Sequence, residues 1–344
     1  MLKQKILILC ALLTLAALLL WFKIPVASSQ GPTLIAARVT DALPSQDLNS
    51  ALWQQATALE IPLSAQTVTR PMLLETNVKA VTARALYNDQ QLAVLVEWAD
   101  ATDNSQMVRI QDFRDAVALQ FPIVEGLPFV CMGQQGVNVN IWHWKADWQQ
   151  DLVAWQDMNS VYPNMNVDSY PFAEGQNPAP SDYTDANYVP AYELGNLMAT
   201  PHKSSVEDLT AGGFGTLTSQ PLDAQNVQGH GEWNNNQWRV IFTRNLTSAE
   251  TEDINFAEGK MYSLAFAAWD GANNERNGQK STSEWISLQI GKPAPVTKVT
   301  TADTITATPP SPQEIAIPLG LIVVPLVLVI LVRTLMGKDE EPSE

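Results

Sequence analysis

Residues 79–100 read KAVTARALYNDQQLAVLVEWAD. Two apolar, partly alternating runs flank Asn88-Asp89, a dipeptide suited to a tight turn, and the stretch predicts a β-hairpin. Working outward, residues 231–246 (GEWNNNQWRVIFTRNL) repeat the pattern with Asn234 to Asn236 as the turn. KMYSLAFAAWDG is a further strand-like run that ends at Asp270-Gly271, and SEWISLQI is another. A short helix is predicted at Ala146 to Met158, and no long helical period occurs between the chain ends. Several short strands separated by turn signals predict an all-β fold, a β-sandwich.

The chain has 344 residues and a net charge of −16. So acidic a surface repels phosphate backbones and argues against a nucleic-acid partner. Of the two cysteines, Cys10 lies in an apolar run, which leaves Cys131 without an intramolecular partner. No disulfide framework, zinc ribbon or iron–sulfur pattern follows, and no CxxCH marks covalent haem attachment.

Both ends are hydrophobic. Residues 1–29, with Lys3 and Lys5 before an uncharged run, are expected to be a signal peptide or an N-terminal membrane anchor. The domain is placed at residues 30–292, followed by a Pro/Thr-rich linker at 293–314. Residues 315–336 contain the uncharged run IAIPLGLIVVPLVLVILV and are expected to form a transmembrane helix, with a tail at 337–344. Arg333 and Lys338 follow that run and the preceding linker segment VTTADTITATPPSPQE has no Lys or Arg, so the tail is expected in the cytoplasm. The main domain is then expected on the periplasmic or extracellular side of the cell membrane.

The stretch FVCMGQQGVNVNIWHWKADW, residues 129–148, concentrates ligand-type and aromatic residues. Met132 is either a core gap-filler or a soft axial ligand to haem iron, with Gly133 allowing close approach of a flat ring. On a strand, Trp142 and Trp144 share one face and His143 takes the other. Those tryptophans form a packed core face or a sugar-stacking platform, and His143 is read as structural. His230, flanked by glycines, is a turn residue or an iron ligand, and His202 a loop residue. Lys280 is an exposed lysine by default, since ligation requires burial that removes its proton. Residues 162–201 form a long Pro/Asn/Asp/Tyr-rich loop. No nucleophile elbow, HExxH, P-loop or dinucleotide fingerprint is present, so no catalytic constellation is visible.

Five segments taken together, FRDAVALQFP, MGQQGVNVNIWHWKADWQ, SSVEDLTAGGFGTLT, VQGHGEWNNNQWRVIFTRNL and AFAAWDGANNERNGQKSTSEWISLQI, resemble the haem-b γ subunit of ethylbenzene dehydrogenase and its relatives among type II molybdenum enzymes of the dimethyl sulfoxide reductase family. The resemblance spans about Trp53 to Ile290 and implies a carbohydrate-module-like β-sandwich around one non-covalent haem b. By position, Met132 in the Met-Gly motif and Lys280 in GQKS are the implied axial ligands, with His230 the alternative second ligand. Trp142, Trp144 and Trp269 would supply a dry pocket around the haem. The implied role is electron transfer without substrate chemistry, in a complex with an iron–sulfur β subunit and a molybdenum catalytic α subunit, toward an external cytochrome or quinone-linked carrier. The competing expectation is a haem-free, surface-anchored, carbohydrate-binding-like module.

Overall fold

The structure, a computed structural model, describes residues 31–124, 132–165 and 196–292. The terminal segments at 1–29 and 315–336, the linker at 293–314, the tail, Cys131 and most of the loop at 162–201 lie outside the described residues. Among the described residues no helix is long and apolar enough to cross a membrane.

The described chain is all-β apart from short helical turns. Its strands are β1 (Thr33–Arg38), β2 (Leu59–Pro62), β3 (Ser64–Ala65), β4 (Ala80–Tyr87), β5 (Gln91–Ala99), β6 (Ala116–Pro122), β7 (Val139–Lys145), β8 (Val206–Ala211), β9 (Thr218–Ser219), β10 (Gln228–Asn234), β11 (Gln237–Asn245), β12 (Met261–Trp269), β13 (Ser281–Thr282) and β14 (Ile286–Ile290). The hairpin expected over 79–100 is β4–β5, with Asn88 Oδ1 accepting from the Gln90 and Gln91 amides to close the turn. The second expected hairpin is β10–β11. Its two turn residues, Asn235 and Asn236, have φ of 53° and 59°, the left-handed pair that a type I′ turn requires and that asparagine tolerates. The helix predicted at Ala146 to Met158 is shorter, Ala146–Asp151. Asp151 Oδ1 accepts from the Gln156 amide and turns the chain away, and a separate helical turn, Met158–Val161, follows.

Hydrogen bonding runs in the order β10-β11-β5-β4-β1-β14-β12-β6-β7-β8-β9. The path is divided within β12. Met261–Leu264 pairs with β14, whereas Ala265–Trp269 pairs with β6. One strand thereby belongs to two sheets, and these sheets stack as a sandwich. Trp98 on β5 and Trp238 on β11 meet Trp144 on β7 across the interface, at ring-centroid distances of 6.2 and 4.9 Å. Trp142 packs there too, against Phe121 and Phe256. Gly229 and Gly231 on β10 leave room for this layer: a Cβ on Gly231 would lie 2.4 Å from a Trp144 ring carbon.

One charged group is sealed into the layer. The Arg244 guanidinium lies over the Trp142 and Phe256 rings and within 3.7 Å of Asp253. Asp208 accepts hydrogen bonds beside it from Asn140 and Gln220. Burial first, and then the Asp253 charge, push the Asp208 carboxyl up to about 8.

Two outcomes follow from this packing. Gly231→Ala forces its methyl against a ring that Trp98 and Trp238 hold in place, and is expected to cost about 1–3 kcal/mol in denaturant unfolding. Asp208 binds a proton in the folded state that it releases when unfolded, so its contribution is fully present below about pH 4 and is lost as pH rises toward about 8. Urea unfolding across that range should show this component of declining stability, and Asp208→Asn should remove it.

Candidate functional site

The outer face of the second sheet carries a cavity of about 740 Å³. Its floor follows from strand register. One row runs Ala265–Gln120–Ile141–Leu209 across β12, β6, β7 and β8, and the next runs Ala267–Ala118–His143. Ala116 and Trp269 form a third. Four of these positions are alanines, which leaves a shallow, largely apolar bed that larger side chains would fill. Val139, Ile141, Leu209 and Ala211 form an apolar cluster there with Trp269, and Met132 and Trp285 pack against it.

Three loops form the walls. Met132 sits at the head of a turn closed by the reciprocal backbone bonds of Gln134 and Val137, and its carbonyl accepts from the Gly213 amide at 3.0 Å. Gly133 has φ +82°, and a Cβ there would lie 2.8 Å from the carbonyl oxygens of Ala211 and Val137. Glycine is thus required by backbone conformation and close packing, and this supports the Met132 position. Opposite, Lys280 directly precedes β13, and its carbonyl accepts from the Gln66 amide at 3.0 Å. The buried Gln66 side chain donates to the carbonyls of Gly278 and Thr69, tying the 66–71 segment to the lysine loop. Gly278 allows that approach, because a Cβ there would be 2.5 Å from the Pro71 carbonyl.

Met132 and Lys280, 148 positions apart in sequence, meet at this cavity. Lys280 Nζ donates to Met132 Sδ at 3.8 Å and lies 5.1 Å from the Trp269 ring centroid. Trp269 donates its indole N–H to the Asn277 carbonyl and packs against His143 with the rings tilted at 30° and their centroids 4.7 Å apart.

Two aromatic assignments need correction. Trp142 and Trp144 are fully buried in the layer between the sheets and do not line the cavity. The alternation read from the sequence is present, but the aromatic face points inward, and His143 on the other face looks into the cavity. The His143 Nε2 is buried without a hydrogen-bond partner. Burial first, and then the positive charges of Lys145, Arg114 and Lys280, hold its pKa well below the usual histidine value, so the ring is neutral. The sequence's alternation signalled that His143 opposes the tryptophans; only the two-faced burial of β7 shows what it opposes them toward. His230 is placed elsewhere. Its neighbours Gly229 and Gly231 face Trp144, so His230 occupies the outer face of the first sheet, where its Nε2 lies 3.2 Å from Glu232. His202 stacks on Trp148 at 3.8 Å, against the Ala146–Asp151 helix. The cavity also gathers residues that sequence reasoning did not single out: Gln66, Phe113, Phe214 and Trp285.

This is a β-sandwich domain whose cavity brings a thioether and an amine together over an apolar bed. The chain belongs to the ethylbenzene dehydrogenase family, whose sequence profile matches residues 50–281. It is similar to the putative respiratory nitrate reductase heme subunit ORF7 of Haloferax mediterranei, with 24% identity over 76% of this chain and 77% of that one. It is similar also to the chlorate reductase subunit gamma of Ideonella dechloratans, with 25% identity over 70% and 78%. The dimethylsulfide dehydrogenase subunit gamma of Rhodovulum sulfidophilum shares 25% identity over 60% of each chain. Among solved structures, a family 9 carbohydrate binding module of Caldicellulosiruptor kristjanssonii in complex with glucose aligns at a TM-score of 0.37 and 9% identity, over 80% of this chain and 100% of that one. A putative carbohydrate-binding protein of Bacteroides uniformis aligns at 0.38 and 8%, over 77% and 94%.

Gly133→Ala places a side chain at a left-handed φ and against two carbonyls. It is expected to destabilise the domain by about 1–3 kcal/mol, measured as a lowered unfolding midpoint.

Proposed function

We propose that the domain is an electron-transfer subunit that holds one non-covalent haem b in the cavity, with Met132 and Lys280 as its axial ligands. The observation that carries this reading is the 3.8 Å approach of Met132 Sδ to Lys280 Nζ over the alanine bed. A haem placed in the cavity would be held by the Met132 thioether and the Lys280 amine, which face each other there.

The residues present fit the group. A thioether is a soft neutral donor that favours the ferrous state. The amine donates only when unprotonated, and the apolar bed, Trp269 and Trp285 favour that form by excluding water. When bound, the haem supplies one-electron redox chemistry, and the protein supplies the ligands and the dry surroundings. The relatives named as a heme subunit and as gamma subunits of reductases support placing this chain in an oxidoreductase complex. In that complex it would relay electrons between an iron–sulfur subunit, itself serving a molybdenum catalytic subunit, and an external cytochrome or quinone-linked carrier. The two apolar end segments support attachment to the cell membrane with the domain on its outer side. A sugar-stacking role loses its Trp142–Trp144 platform, since both rings are buried.

The full chain, purified in detergent with haem supplied, should show a Soret band and a protohaem pyridine spectrum. Met132→Ala should lose haem or lower its potential, and Lys280→Ala should convert low-spin iron to high-spin. His230→Ala should leave the spectrum unchanged. A colourless protein overturns the haem reading. A spin-state change in His143→Ala or His230→Ala, with none in Lys280→Ala, overturns the lysine assignment.

A further inference from the structure

Away from the cavity, three carboxylates converge from distant parts of the chain. Asp100 follows β5, Asp115 precedes β6 and Asp270 follows β12. One oxygen of each lies within 4.8 Å of the others. Asp115 is fully buried and Asp100 is 7% exposed.

Hydrogen bonds account for only part of this negative charge. Asp115 accepts from the Gly271 and Asn104 amides and from the Trp238 indole, at 2.8–2.9 Å. Asp270 accepts from Asn273. Asp100 Oδ1 accepts from the Thr102 amide and hydroxyl, but its Oδ2 is buried with no hydrogen-bond partner. The Trp98 indole lowers the pKa of this carboxyl slightly, yet its N–H is left without an acceptor. Glu275, also buried, adds a fourth acid next to Asp270, whose amide donates to it.

Carboxylates this close and this buried call for added positive charge, either as shared protons or as a cation. An all-oxygen donor set selects a hard cation. The three oxygens are close enough for one ion to bridge them, and Ca²⁺, which accepts roughly 6–8 oxygen ligands in flexible geometry, suits an irregular set better than Mg²⁺, which demands near-ideal octahedral geometry.

We propose that Asp100, Asp115 and Asp270 form a calcium site that is separate from the cavity. The buried, unpartnered Asp100 Oδ2 is the open acceptor for the ion. The ion fastens the start of the Asp270–Lys280 segment to the ends of β5 and β6. It therefore stabilises the loop that leads to Lys280, whatever the cavity holds.

The test is calorimetric titration of the full chain in detergent, stripped with a chelator and then supplied with calcium chloride alone. One saturable site per chain is expected, binding Mg²⁺ more weakly, together with a rise in the unfolding midpoint when Ca²⁺ is added. Asp100→Asn and the less buried Asp270→Asn should each weaken Ca²⁺ binding by at least about tenfold. Asp89→Asn, at an exposed ion pair, should leave binding unchanged. Absence of saturable binding to the stripped wild type overturns the site and leaves shared protons as the balancing charge. Undiminished binding in a folded Asp270→Asn variant overturns it equally.

Discussion

Backbone hydrogen bonding in β12 sets the rest of the architecture. A buried strand must satisfy its amides and carbonyls along both edges. β12 does so with β14 beside its first four residues, with β6 beside its last five, and with β13 across from β6 at Ala267 and Ala268. The change of partner within one strand divides a continuous hydrogen-bonded path into two stacked layers. It also places Ala265, Ala267 and Trp269 on the outer face of the second layer while Leu264, Phe266 and Ala268 fill the interior. Cavity and core are thus two sides of the same nine residues. A one-residue slip in the β12–β6 register would exchange them.

Much of this organisation is legible in local sequence. The hairpins at 79–100 and 231–246 are signalled by asparagine at their turns, because asparagine tolerates the left-handed conformations seen at Asn235 and Asn236. The strand periods of β12 and β14 are equally plain. What local pattern does not carry is partnership. Nothing within KMYSLAFAAWDG marks the residue at which β12 leaves one sheet for the other, since that depends on β6 and β14, which lie far off in sequence. The same limit produced the misplaced tryptophans. In β7 both faces are buried, so alternation separates Trp142 and Trp144 from His143 without saying which set meets the interior. Met132 and Lys280 were reachable only through motif resemblance, as neither spacing nor composition brings positions 132 and 280 together. Gln66, which fixes the lysine loop, sits in a segment with no distinguishing pattern at all.

The two charge clusters solve opposite problems. Around Arg244, a cation is buried among rings and carboxylates, and opposing charges offset part of its desolvation. Around Asp115 the neighbours are of like sign, and Asp115 itself accepts from two backbone amides and one indole. Both clusters join elements from the two sheets, so each couples local protonation or ligation to the way the layers are held together.

The parallel pairing of β1 with β14 bears on how the domain responds to pulling. Thr33 lies opposite Ser287 and Ala36 opposite Ile290, so the first and last strands among the described residues run side by side in the same direction. The chain therefore enters this pair at one end and leaves it at the other. Tension applied between the two chain ends acts along the strands and loads their hydrogen bonds in shear, all together. An antiparallel closing pair would put entry and exit at the same end and let the bonds peel one by one. β1 and β14 thus meet such a pull as a pair loaded in shear.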